Sequence, residues 1–225
     1  MTCAVILAAG ASRRMGAVKP LARMADGRTF LAALTGTLRS AGIDGPIVVV
    51  TGAHRSAVAR EARRLGASPV HCARWRDGQL ASARTGLRAA LAAGGDAALL
   101  PCDMPHLASA TVARTLRARP PAVAAHGGRT GHPLLLDPAS LRAVLAARGA
   151  ATLRAALRQA GVRPLPVPVR DRAVHENVNT PGQLRAWERS PGARASRAAG
   201  VTGAPPGGLT APRRAGRSGR ASDRG

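Results

Sequence analysis

Two short segments hold the residues whose types and spacing suit chemistry on a charged ligand. The first reads LAAGASRRMGAVK, from Leu7 to Lys19. Gly10, at the end of an apolar run, lets the backbone turn so that successive N–H groups can face an anion, and Arg13, Arg14 and Lys19 add positive charge within the same stretch. The segment matches neither standard phosphate loop: Gly10 and Gly16 stand six apart, no GK[ST] follows, and GxGxxG is absent. Lys19 is the single lysine beside 33 arginines. A preference for Arg explains that ratio, and a lysine that survives it marks either a chance surface position or a place where a compact ammonium must fit among phosphate oxygens.

The second segment, LLPCDMPHL from Leu99 to Leu107, puts Asp103 immediately beyond another apolar run. Mg²⁺ binds through one or two carboxylates together with waters or phosphate oxygens, so a lone Asp here can anchor a nucleotide-bound metal. The plain alternative is a helix cap, a job for which Ser109 is better placed. His106 is either a further ligand or a loop histidine without a role. Cys3, Cys72 and Cys102 are odd in number and far apart, which predicts buried reduced thiols rather than a disulfide framework or a zinc site.

The elements that must carry these segments alternate. Apolar runs at 3–8, 46–51, 69–72 and 97–102 read as strands, with helical patterns at 29–41, 54–65, 79–93 and 109–118 between and after them. Strands near 122–125 and 133–136, helices at 138–147 and 152–160, an extended segment at 163–169 and a helix at 181–189 complete the chain up to its last part. Strands separated by helices of 10–15 residues predict an α/β fold, a mostly parallel sheet with helices on both faces, whose ligand crevice lies beyond the carboxyl ends of the strands. Functional residues are therefore expected just after positions 8, 51, 72 and 102. Small residues at Ser82 and Gly86 suit an Ala-rich helix sitting close to the sheet.

Composition bounds the partners. The formal net charge of +23 invites a nucleic-acid reading, but Phe30, Trp75 and Trp187 are the only aromatic residues of the Phe, Trp and Tyr classes, too few for a stacking platform, and no base-reading motif is present. Specific nucleic-acid binding is not expected. Residues 190–225 hold eight Gly, four Pro and seven Arg against one Asp, the composition of a disordered basic tail beyond a domain at 1–189. No run approaches the ~20 apolar residues of a membrane span. The start places its charges after its apolar run, the reverse of a secretory signal, so a cytoplasmic location is expected.

Four ordered segments, LAAGASRRMGAVK, WRDGQLASARTGL at 75–87, LLPCDMPHL and GHPLLL at 131–136, with NVNTPGQL at 177–184 after them, give the chain a resemblance to the MobA-like NTP transferases, and within these to the molybdenum cofactor cytidylyltransferases. The resemblance covers about residues 3–189. It implies a single GT-A-like, Rossmann-like domain with a nucleoside triphosphate over the strand ends. Leu7, Ala8, Ala9 and Gly10 would wrap the nucleotide, Arg14 and Lys19 would hold its phosphates, and Gly78 and Ser82 would approach base or ribose. Asp103 would bind Mg²⁺. The family's second metal-binding acid or amide falls where this chain offers Asn177 and Asn179, of which Asn179 is the expected ligand, and a turn or cap ahead of Pro181 is its alternative role. The GHP at 131–133 corresponds to an acceptor-side loop, with His132 on the acceptor.

The reaction so implied is Mg²⁺-dependent transfer of CMP from CTP to the phosphate of molybdopterin with release of pyrophosphate, and a downstream molybdoenzyme is a possible partner. The family alternatives are GTP on the same acceptor, or a pyrimidine nucleotide on a sugar or alditol phosphate. CTP is expected because pyrimidine-using members tend to read LAAG and purine-using members LAGG, so the Ala9 methyl would crowd a purine. An acceptor phosphate is already ionised, so neither a side-chain nucleophile nor a general base is required. If a compact ammonium is required at this position, Lys19→Ala loses triphosphate affinity and turnover and Lys19→Arg restores them only in part; kcat/KM of the Arg variant equal to wild type would make Lys19 merely one more positive charge.

Overall fold

The computed structural model describes residues 1–190; the expected tail lies, apart from Ser190, outside the described residues. Runs in which nearly every side chain is apolar can be buried on both faces, and they become the centre of the sheet. Strand β1 (Thr2–Ala8) pairs in parallel with β2 (Ile47–Thr51) on one side and with β4 (Asp96–Pro101) on the other, and β3 (Ser68–His71) adds outside β2. With β5 (Ala122–His126), β6 (Arg129–Leu136) and β7 (Leu165–Pro168) the seven-stranded order is β3-β2-β1-β4-β6-β5-β7, and only β6 runs antiparallel to its neighbours.

Alternate residues of β1 feed two cores. Cys3, Val5 and Leu7 point to the face covered by α3 (Gln79–Ala93), α5 (Pro138–Ala146) and α6 (Leu153–Gln159). Ala4, Ile6 and Ala8 point to the face covered by α1 (Phe30–Ser40), α2 (Arg55–Arg64) and α4 (Ser109–Leu116). The last helix, α7 (Pro181–Arg189), opens with a capping box: the Thr180 hydroxyl accepts from Gln183 N at 3.2 Å, and Gln183 Oε1 accepts from Thr180 N at 3.1 Å. All three cysteines are buried and unpaired, as expected. No helix among the described residues is long and apolar enough to cross a membrane.

Two local expectations need correction. GHP at 131–133 is not a loop but the middle of β6, which begins at Arg129 because Gly127 and Gly128, with φ of 56° and 76°, form a tight hairpin turn from β5. Ser109 does not cap α4. The cap position is Ala108, and a side chain distant in sequence serves the helix start: Asp171 Oδ2 accepts from Ala108 N at 3.0 Å and from Thr111 Oγ1 at 2.9 Å.

Helix α3 sits so close to the sheet that a Cβ on Gly86 would overlap Val5 Cγ1 and come within 2.8 Å of Val50 Cγ2. Gly86→Ala is therefore expected to destabilise the protein by about 1–3 kcal/mol, the usual cost of overpacking, despite the better helix propensity of Ala. Thermal or denaturant unfolding measures it; an unchanged midpoint would mean that α3 can lift away freely.

Candidate active site

Because β2 and β3 lie on one side of β1 and β4 on the other, the connections leave β1 and β4 in opposite directions and open a crevice at their carboxyl ends. Both charged segments end there. After β1 the chain turns through exposed Gly10, where a Cβ would meet nothing within 4 Å, so the space beside it is free for a ligand. Ser12 takes a left-handed φ of 56°, and its hydroxyl accepts from Lys19 N at 2.9 Å, closing the loop on itself. Met15 anchors the loop from below, buried against Met24, Phe30, Ala33 and Val178.

Lys19 then reaches across the crevice. Its Nζ donates to Asp103 Oδ2 at 3.2 Å and to Asn179 Oδ1 at 2.7 Å, and Arg14 Nη2 donates to the same amide oxygen at 3.3 Å. The Lys19 and Asp103 side chains are only 14% and 16% exposed, so water screens this pair little. Asn179 is fixed from its own backbone: its N–H donates to Gln183 Oε1 at 2.7 Å, and the neighbouring Val178 N donates to Asp103 O at 2.7 Å. The loop after β1, the loop after β4 and the start of α7 are thus tied at one point.

Asp103 Oδ1 is buried and has no hydrogen-bond partner among the described residues. An orphaned carboxylate oxygen is costly unless a cation completes it. With the Asn179 carbonyl oxygen reached by the same ammonium, the donor set is two hard oxygens, which fits a divalent ion such as Mg²⁺ or Mn²⁺. Cys102 adjoins the site but is no nucleophile, since burial first and the Asp103 charge second push its thiol up to about 12.

The crevice has two connected lobes. One, of about 590 Å³, is lined by the loop from Leu7 to Arg13 together with Lys19, Trp75, Gly78, Ser82 and Asp103. The other, of about 390 Å³, shares Gly10, Lys19 and Asp103 and adds Arg14, Asn177 and Asn179. Ser82 is 5% exposed at its wall. Gln79, the first residue of α3, lines both lobes, and the helix start behind it at Gly78 carries no side-chain cap, leaving N–H groups that suit an anion. Gln79, Trp75 and Ser12 were not anticipated from sequence; a helix start facing the β1 loop was the available signal.

His132 is not brought to this crevice. It lies within β6, donates from Nδ1 to Leu99 O at 3.3 Å, and is held below its ordinary pKa chiefly by burial. It lines neither lobe, yet it lies close enough behind the site for the Asp103 carboxylate to act on its ring, partly offsetting the effect of burial.

The family profile described as MobA-like NTP transferase domain matches residues 4–165. The chain belongs to this family. A MobA-like chain with 39% identity over 137 residues is the molybdenum cofactor guanylyltransferase of Acidiphilium cryptum (strain JF-5), the match spanning 60% of this chain and 66% of that relative. Among solved structures, a nucleotidyl transferase from Methanothermobacter thermautotroptrophicus superposes with a TM-score of 0.72 at 25% identity, covering 87% of this chain and 99% of its own. A Mycobacterium tuberculosis H37Rv protein in complex with manganese superposes with a TM-score of 0.59 at 24% identity, covering 82% and 96%. Both share the single-domain α/β architecture of this MobA-like chain.

Asp103→Asn should fold normally and bind Mn²⁺ in the presence of nucleotide about tenfold or more weakly, in keeping with ~1.5–3 kcal/mol for one charge-assisted contact. Electron paramagnetic resonance titration of Mn²⁺ reads this, and unchanged affinity would exclude Asp103 as a ligand.

Proposed function

We propose that this protein transfers a nucleotidyl group from GTP to the phosphate of molybdopterin, releasing pyrophosphate. The observation that carries the transfer reaction is the convergence of Arg14, Lys19, Asp103 and Asn179 on one point of the crevice. It supplies two cations for a polyphosphate and two oxygens for a metal.

Family membership and the Acidiphilium relative's name support a molybdenum cofactor acceptor and favour guanine over cytosine. The physical ground for CTP, a methyl crowding a purine, is weak here. Ala9 lines the crevice but is only 4% exposed, and a Cβ on Gly52 would come within 2.8 Å of the Ala9 Cβ, so the methyl packs largely against the residue after β2 and leaves little surface for a base to meet.

In this reading the backbone of the Gly10 loop and the uncapped start of α3 receive phosphate oxygens. Lys19 and Arg14 leave Asn179 for the triphosphate and offset negative charge that grows on the α-phosphoryl oxygens and the departing pyrophosphate. Asp103 and Asn179 would hold a divalent cation, Mg²⁺ or Mn²⁺, which supplies charge neutralisation on the triphosphate. The acceptor phosphate attacks the α-phosphorus in line, so no protein nucleophile is consumed.

Incubation with molybdopterin, Mg²⁺ and each of GTP, CTP, ATP and UTP should yield pyrophosphate and dinucleotide with GTP favoured over CTP by about tenfold or more, within the ~10–200-fold that pocket fit can supply. Ala9→Gly should leave that ratio unchanged. A preference for CTP would overturn the base assignment, and no product with any nucleotide would overturn the acceptor.

A further inference from the structure

On the far side of the Asn177–Asn179 segment lies a second cavity of about 480 Å³, lined by His106, Arg172, Glu176, Asn177, Gln183 and Trp187 among others. Its floor is unusual. The His106 side chain is 1% exposed, yet neither ring nitrogen has a hydrogen-bond partner among the described residues. Burial pushes its pKa down to about 4, so at neutral pH the ring is uncharged and presents one donor and one acceptor. Two unmet polar atoms on one buried ring are a standing cost unless something in the cavity meets them.

The walls define what that something is. The Trp187 ring lies against His106, tilted by 34° with centroids 4.8 Å apart, and also packs on the Met15, Met24 and Phe30 cluster, which gives the cavity a supported aromatic wall. Glu176 receives Arg172 Nε at 3.1 Å, while its other oxygen lies 3.8 Å from His106 Nε2, outside hydrogen-bond reach. Arg172 and Glu176 cancel in charge, which disfavours a phosphate. A flat, neutral heteroaromatic with N–H groups for a carboxylate and a carbonyl for a guanidinium fits the set. Asn177 lines both this cavity and the crevice lobe holding Arg14 and Lys19, so a ligand seated here can extend past it to the reaction point.

We infer that this cavity receives a fused 2-amino-4-oxopyrimidine ring, the pterin of the acceptor, whose phosphate then reaches the crevice past Asn177. The inference rests on the pterin acceptor proposed above. Guanine presents the same amino-oxo edge, so the nucleotide base is the rival source of this chemistry.

The probe is 6-hydroxymethylpterin, titrated into the full-length protein by its own fluorescence. Saturable binding that GTP does not displace is expected, weakened tenfold or more by Glu176→Gln and by Trp187→Leu and unchanged by Asp103→Asn. Glu176 is partly exposed, so Glu176→Gln carries the test if Trp187→Leu folds poorly. No saturable binding, equal binding to the Glu176→Gln protein, or displacement of the pterin by GTP would each overturn the inference. Turnover separates it from the functional reading. If wild type makes dinucleotide and Glu176→Gln keeps the same acceptor KM, the cavity assignment fails alone. If the pterin binds and weakens as stated while no nucleotide yields product, the cavity stands and the functional reading fails.

Discussion

A single ammonium group holds the crevice together. Lys19 bonds to Asp103, 84 positions away, and to Asn179, 160 positions away. Among the described residues these contacts, with the backbone bond from Val178 to Asp103, join the β1 loop, the β4 loop and the start of α7. When one partner of such a part-buried pair is lost the survivor keeps some of its desolvation cost, which the water still reaching this crevice moderates. The same contacts therefore shape the site and constrain the chain around it. Lysine's compact ammonium meets two oxygens from different segments at once, a geometry that a planar, forked guanidinium does not share.

That arrangement depends in turn on strand order. Placing β1 between β2 and β4 brings the loops that leave the two adjacent, parallel strands to the same edge of the sheet. Burial of β1 on both sides keeps this edge in place, because Val5 and Ile6 are inaccessible to water and belong to separate cores. The close seat of α3, which Gly86 permits, brings Gly78 and Gln79 to the crevice. Backbone packing thus decides which polar groups meet there.

The strands and helices were legible because their signals are local: apolar runs for the central strands, Ala-rich amphipathic stretches for the helices, glycines at their ends. The strand-end rule pointed to the loops carrying Lys19 and Asp103. Features made by contact between distant segments were not legible. Asp171 serving α4, His106 beneath Trp187, and Gln79 lining both lobes depend on tertiary placement that no spacing encodes. The start of β6 was misread although its signal was present, for Gly127–Gly128 is a hairpin turn that the following GHP obscured. Ala9 does lie in the crevice loop, but how much of its methyl can meet a base depends on Gly52 packed against it, which the spacing of the sequence does not encode.

Asn179 stands where a second acid would have balanced the site, and this neutral amide changes the order in which ligands arrive. With Arg14 and Lys19 against Asp103 alone, this point of the crevice carries a surplus positive charge. A bare dication approaching it would meet repulsion and an ammonium seated on Asp103 Oδ2 and Asn179 Oδ1, whereas a triphosphate would meet attraction and draw that ammonium away. On the proposed reading a metal would then enter as the counter-ion of its nucleotide rather than alone, and tight metal binding in the absence of nucleotide would contradict that order.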